Sequence, residues 1–165
     1  MRKGQKKRGD SDEGETMTQS SNDALYRRVL ERDRVIAVVG LSAQTSRPSH
    51  RVAAYMQAHG YRIVPVNPTY AGRPEGILGE TCYASLAEAA AALAAQGSAI
   101  GMVDVFRRSE EVAALVDEVL ACGARSLWLQ LGVVDTQAAL RATAAGLDVV
   151  MDRCVKIDHA RLMPV

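Results

Sequence analysis

Aromatic residues are scarce in this chain, making up 4% of its 165 residues, with a single Trp and a single Phe. That shortage removes the stacking platforms on which readers of single-stranded nucleic acid and RNA depend. An excess of charge of one sign is also lacking. Lys and Arg number 20 against 19 Asp and Glu, and a net +1 supplies no global basic field, so any anionic ligand must be held by a local site. Cysteine is sparse: Cys82, Cys122 and Cys154 are widely spaced and odd in number, with no C-x-x-C pair. This argues against a disulfide scaffold or a structural zinc site and fits a reducing cytoplasm. No apolar run approaches the roughly 20 residues that cross a bilayer, and the N-terminus lacks the apolar segment of a signal peptide. The expectation is a soluble, cytoplasmic protein with no nucleic-acid and no membrane partner.

What the chain does have is 48% hydrophobic residues, enough for one well-buried domain and too few residues in total for two. Residues 1–20 are charged and small, with only two Met as large apolar side chains, so they read as a disordered tail. A basic anchor for RNA or anionic lipid, through Arg2, Lys3, Lys6, Lys7 and Arg8, is the alternative reading of its first residues, and translation could start at Met1 or Met17. The folded domain is expected over residues 21–165.

Within it, Ser21 or Asn22 caps a short helix carrying Leu25, Val29 and Leu30. Apolar and β-branched runs at 35–39, 61–66, 99–105, 127–131 and 148–151 read as strands. Helical patterns lie between them: 49–59 ending at Gly60, a capping box at Ser85-Leu86-Ala87-Glu88, a helix capped by Ser109, and one opened by Asp135 or Thr136. The breakers in 67–81 mark a long loop. Strands alternating with helices imply an α/β fold, a doubly wound parallel sheet of about five strands covered on both faces.

Ligands of such sheets sit beyond the carboxyl ends of the strands, so the residues just after each strand carry the functional information. After the first come Gly40, Ser42, Arg47, Pro48 and Ser49; after the second, Asn67 and Pro68; after the third, Phe106, Arg107 and Arg108; after the fourth, Gln130 and Gly132; after the fifth, Asp152, Arg153 and Cys154. The free amides and dipole of the helix opening at Ser49 favour a pyrophosphate, and Arg47 adds a charge-assisted bond; Ser42 and Ser49 as simple caps is the plainer alternative. Phe106 stands where a strand leaves the core and either covers an adenine face or packs at the edge. The loop is not an NAD loop. Counting from Gly40, Ser42 and Thr45 replace the second and third glycines of G-x-G-x-x-G, and Asn67 stands where a ribose-binding carboxylate belongs, although Arg62 and Arg73 keep NADP open. No metal-ligand spacing is present, and His50, His59 and His159 read as surface or capping residues. No G-x-S-x-G elbow aims a nucleophile, and no catalytic residue is assigned.

Taken together, the segments VVGLSAQTSRPSHRVAAYMQAHGYRIVPVNP, ILGETCYASL, VDVFRRSEE, LWLQLGV and GLDVVMDRCVKIDH resemble the stand-alone CoA-binding proteins related to the nucleotide-binding domain of the succinyl-CoA synthetase α subunit. The likeness spans about residues 29–159. It implies a Rossmann-like three-layer sheet of order 3-2-1-4-5, with CoA or an acyl-CoA as ligand. It also implies that the loop from Gly40 to Ser49 takes the pyrophosphate, Asn67-Pro68 lines the nucleotide, and Phe106-Arg107-Arg108 with Gln130-Leu131-Gly132 borders the groove toward the pantetheine. The family loop often carries an acidic residue and a proline where this chain has Ala43-Gln44-Thr45-Ser46. The synthetase's phosphorylated histidine belongs to a further domain with no counterpart here, so its activity does not transfer.

The leading expectation is therefore a CoA-binding module without catalysis. The alternatives are a small NADP-dependent oxidoreductase or dinucleotide-reading regulator, and an interaction protein; an apolar helix face leaves room for a homodimer. Cys154, near Arg153 and Lys156 in sequence, is placed to exchange with a CoA disulfide as a thiolate, or else is a small buried hydrophobe. Arg47→Ala should weaken CoA binding by about 1.5–3 kcal/mol, the range of hydrogen bonds to charged groups, with the melting temperature of the free protein unchanged. Calorimetry giving equal affinities would remove Arg47 from the site.

Overall fold

The segment Val35–Val39 is apolar at every position, the composition of a strand covered on both faces rather than one. In the computed structural model, which describes residues 11–163 and side chains from Gln19 onward, it is β1, the second strand of a parallel sheet. The others are β2 (Arg62–Val66), β3 (Met102–Val105), β4 (Ser126–Leu129) and β5 (Asp148–Val150). Spatial order is β2-β1-β3-β4-β5. A one-residue parallel bridge from Tyr83 to Val66 extends the sheet outside β2. Counted as a third position in chain order, this bridge makes the pattern 3-2-1-4-5 followed by the last strand, the expected arrangement.

Side chains alternate between the two faces with the strand period of two. Ala37, Val39, Val64, Val66, Val103, Val105, Leu127 and Leu129 enter one core, covered by α3 (Leu86–Ala95), α4 (Val112–Ala121) and α5 (Thr136–Ala144). Ile36, Val38, Ile63, Met102, Trp128 and Val150 enter the other, covered by α1 (Ser11–Arg32), α2 (Pro48–Ala58) and α6 (Val155–Leu162). Side-chain caps set the starts of α3 and α5. The Ser85 hydroxyl accepts from the Glu88 amide at 3.2 Å, and the Glu88 carboxylate reaches back to the Ala84 amide. Asp135 accepts from the Ala138 amide at 3.0 Å. Gly60 closes α2 with φ +90°.

Three expectations change. Helix α1 begins at Ser11 rather than near Ser21; residues 1–10, the first half of the expected tail, lie outside the described residues. No proline interrupts 11–20, and extending a helix already nucleated by the packed turn of Tyr26, Val29 and Leu30 is cheap. Ser109 does not cap its helix. It opens a 3-10 turn, Ser109–Glu111, and its hydroxyl accepts from the Val134 amide at 2.9 Å and donates to the Gly132 carbonyl, tying two post-strand loops together.

The third change is α6, for which the sequence offered little periodicity. Its Asp158 is buried and takes both nitrogens of a fork from Arg153 at 2.7 Å each, plus Arg161 at 3.0 Å. Arg161 also pairs with Asp23 on α1. His159 on the same helix is buried rather than at the surface: Nδ1 meets the Tyr55 hydroxyl at 3.0 Å, and the rings of Tyr61 and His59 stand at 5.5 and 5.1 Å. Desolvation, with help from His59 and Arg34, lowers its pKa below the usual 6.5. The native state then binds fewer protons than the unfolded chain, so this contribution is fully present above pH 6.5 and is lost as the pH falls toward the lowered native value. Denaturant unfolding at pH 7.5 and 5.5 should show the wild type losing more stability on acidification than His159→Gln; equal losses would contradict this linkage.

Candidate functional site

Chain direction creates the site. From β1 the chain crosses to α2 on one face of the sheet, and from β3 it crosses to α4 on the other, so the two neighbouring strands part at their carboxyl ends. Gly40 stands at the parting. Its φ is +87°, and a Cβ there would lie 2.2 Å from the Phe106 carbonyl oxygen, so only glycine admits this approach of the two backbones.

Beyond Gly40 the loop is held by its own polar groups. The Ser42 amide donates to the Ser49 hydroxyl at 3.0 Å, and the Ser42 hydroxyl accepts from the Gln44 amide at 3.1 Å. Asn67, also buried, donates to the Leu41 carbonyl and accepts from the Thr69 amide, both at 3.0 Å. These three side chains build the loop. Arg47 is the N-cap residue of α2 without capping it; its exposed side chain contacts Gln44 at 3.3 Å.

Around the parting lie two cavities. The first, about 640 Å³, is lined by Pro48 and Val52 of α2, Phe106, Arg107, Arg108, Glu111, the segment Gln130 to Val133, and Cys154. The second, about 650 Å³, lies toward α3 and α4; it is bordered by Pro68, Ser85, Glu110 and Glu118, and shares Arg107 and Glu111 with the first. The structure thus brings Pro48, Phe106, Arg107, Arg108, Gln130, Gly132 and Cys154 to one cavity. It puts Pro68 at the other, and leaves Gly40, Ser42, Ser49 and Asn67 as the frame. Charge divides the two spaces. The first has two arginines to one glutamate, the second three glutamates to one arginine, so the first is the more favourable to an anion.

Several supports were not legible beforehand. Asp152 takes a left-handed φ of +59° and accepts from the Gly132 amide at 2.7 Å, fixing the turn beside Gln130. Arg153, expected to act on Cys154, is committed to Asp158 and lies over the Tyr26 ring. Asp104 on β3 is the main residue missed, although a lone carboxylate inside the apolar run of β3 was a visible signal. It is 2% exposed and its Oδ1 accepts from Gln130 Nε2 at 2.6 Å. Burial raises its pKa to about 7, against the opposing hydrogen bonds from Gln130 and the Val105 amide. Among the described residues no cluster of His, Cys, Asp and Glu is arranged to hold a metal ion, and no helix is long and apolar enough to cross a membrane.

Comparison with known proteins gives the chain a family and a set of relatives of the same fold. A family model described as CoA binding domain matches residues 34–160. The uncharacterized protein YneT of Bacillus subtilis (strain 168) is 38% identical over 142 residues, covering 86% of this chain and 97% of its own. Among solved structures, cell-free ID.343 from Thermus thermophilus aligns with a TM-score of 0.73 and 34% identity, over 86% of this chain and 99% of that one. A hypothetical protein from Pyrococcus horikoshii OT3 aligns with a TM-score of 0.74 and 33% identity, over 86% and 92%.

The raised pKa of Asp104 has a consequence of definite sign. The native state holds a proton that the unfolded chain releases near 3.8, so stability falls as the pH rises from there to about 7 and then levels off. Between pH 5 and pH 8 the wild type should lose about 3 kcal/mol more than Asp104→Asn, measured by urea unfolding. Parallel pH profiles would show that Asp104 does not titrate in this way.

Proposed function

The chain belongs to the CoA-binding domain family, and from that premise we propose that the groove across the sheet edge binds coenzyme A or one of its acyl thioesters. CoA joins a polyanionic nucleotide to a long neutral arm, and one cavity has to satisfy both. The observation that carries the reading is the lining of the 640 Å³ cavity, in which Arg107, Arg108 and the first turn of α2 stand beside Val52, Phe106, Leu131 and Val133. The cations and the helix N-terminus suit the pyrophosphate; the apolar side chains suit the arm and the adenine face.

Each expected residue other than Cys154 then has a part. Gly40 lets the backbone pass Phe106, and Ser42, Ser49 and Asn67 hold the loop that positions Arg47 and Pro48. Arg47, Arg107 and Arg108 neutralise phosphate, Gln130 and Gly132 border the pantetheine, and Pro68 lines the acidic side of the groove. The reading is of a binding module that carries or senses its ligand.

Thermal shift with CoA, acetyl-CoA, NAD, NADP and ATP tests it. A ligand at 100 times its dissociation constant adds about 2.7 kcal/mol of apparent stability. CoA and acetyl-CoA should raise the melting temperature and the dinucleotides should not. Stabilisation by NADP without CoA would overturn the assignment.

A further inference from the structure

Gln130 follows β4, is 4% exposed, and lines the first cavity. Its carboxamide carries donors at one end and an acceptor at the other, and Asp104 decides which end is free. The Asp104 Oδ1 accepts from Gln130 Nε2 at 2.6 Å, and above about pH 7, where the carboxyl is ionised and can only accept, this contact fixes Nε2 toward Asp104. Oε1 is left without a hydrogen-bond partner among the described residues. No side-chain oxygen or nitrogen sealed within them lacks a partner, so Oε1 is not sealed, and the residue lines the first cavity. A buried polar group left in this state points to a partner that the protein does not itself supply. Asp104 has no ion pair among the described residues, and the charged side chains of the cavity, Arg107, Arg108 and Glu111, are not bonded to it. Its contacts are the Gln130 amide and the Val105 peptide.

We propose that Gln130, locked by Asp104 with its oxygen toward the cavity, is a specificity-determining hydrogen-bond acceptor for a neutral N–H group of the ligand. This rests on the CoA reading and deepens it. CoA offers such donors in the two amides of its pantetheine arm and in the exocyclic amine of adenine. A ligand presenting a carbonyl or phosphate oxygen at that point would meet an acceptor with an acceptor. Asp104 acts as a positioning residue, since only an anion behind the amide makes its orientation single-valued.

The test is calorimetry at pH 8, where Asp104 is ionised, with CoA and 3′,5′-ADP, which keeps the adenine and lacks the arm. Gln130→Met removes the acceptor at constant length and should weaken CoA roughly three- to tenfold, the span of one neutral hydrogen bond. Unchanged 3′,5′-ADP affinity assigns the donor to a pantetheine amide; an equal loss assigns it to the adenine amine. Gln130→Glu keeps an acceptor oxygen, and by sharing one proton with Asp104 it leaves the pair's charge as in the wild type, so it should bind CoA nearly as the wild type does. If Gln130→Met does not fold with Asp104 left alone, the double change Asp104→Val with Gln130→Met removes both polar groups together and is measured instead. CoA affinity unchanged in the variant without the acceptor, or lost equally in Gln130→Glu, overturns the proposal. Absence of CoA binding by the wild type would instead sink the reading on which it rests.

Discussion

Between residue 40 and the Phe106 carbonyl there is no room for a side chain, since a Cβ would lie 2.2 Å from that oxygen. This contact of two backbones joins the exits of β1 and β3, the strands whose chains leave to opposite faces of the sheet. With Gly40 in place, the first turn of α2 and the Phe106-Arg107-Arg108 segment flank a single opening. A side chain at position 40 would push one backbone off the other and move both walls together. The rest of the groove inherits its shape from that distance.

The loop after β1 then turns its polar side chains on itself. Half-buried Ser42 and buried Ser49 and Asn67 are each bonded to backbone groups of the loop. On the CoA reading, that leaves ligand recognition to the backbone at the start of α2, to arginines that reach solvent, and to side chains from β3 and β4. A loop secured in this way is preorganised, so little ordering opposes binding.

Electrostatics gives the groove a direction. Arg107 stands between an arginine-rich space and one bordered by Glu110, Glu111 and Glu118, so the field across the groove changes sign at Arg107. On the reading proposed above, Asp104 and Gln130 add a second level of discrimination, in which the buried carboxyl has the amide as its only side-chain hydrogen-bond partner among the described residues. Helix α6 contributes to the same wall. Its Asp158, held by Arg153 and Arg161, anchors the helix whose N-cap is Cys154 at the cavity.

How much was legible in the amino-acid order follows from the range of the interactions involved. Strands, helix starts at Ser85 and Asp135, the turn at Gly60 and the glycine at 40 are set by local sterics, alternation and capping, and a sequence carries those directly. The post-strand rule likewise placed Pro48, Phe106, Arg107, Arg108, Gln130, Gly132 and Cys154 at one edge, because parallel strands all end on the same side. What remained hidden depends on partners far away in the chain. Asn67 bonds Leu41, Ser109 bonds Gly132 and Val134, Arg153 is taken by Asp158 and not left to Cys154, and His159 is buried because α6 packs on α2. The sequence by itself determined which residues would stand at the sheet edge. Only the tertiary structure decided which of them face the groove and which are consumed in building it, because a hydrogen bond satisfied by a distant residue leaves no periodicity behind.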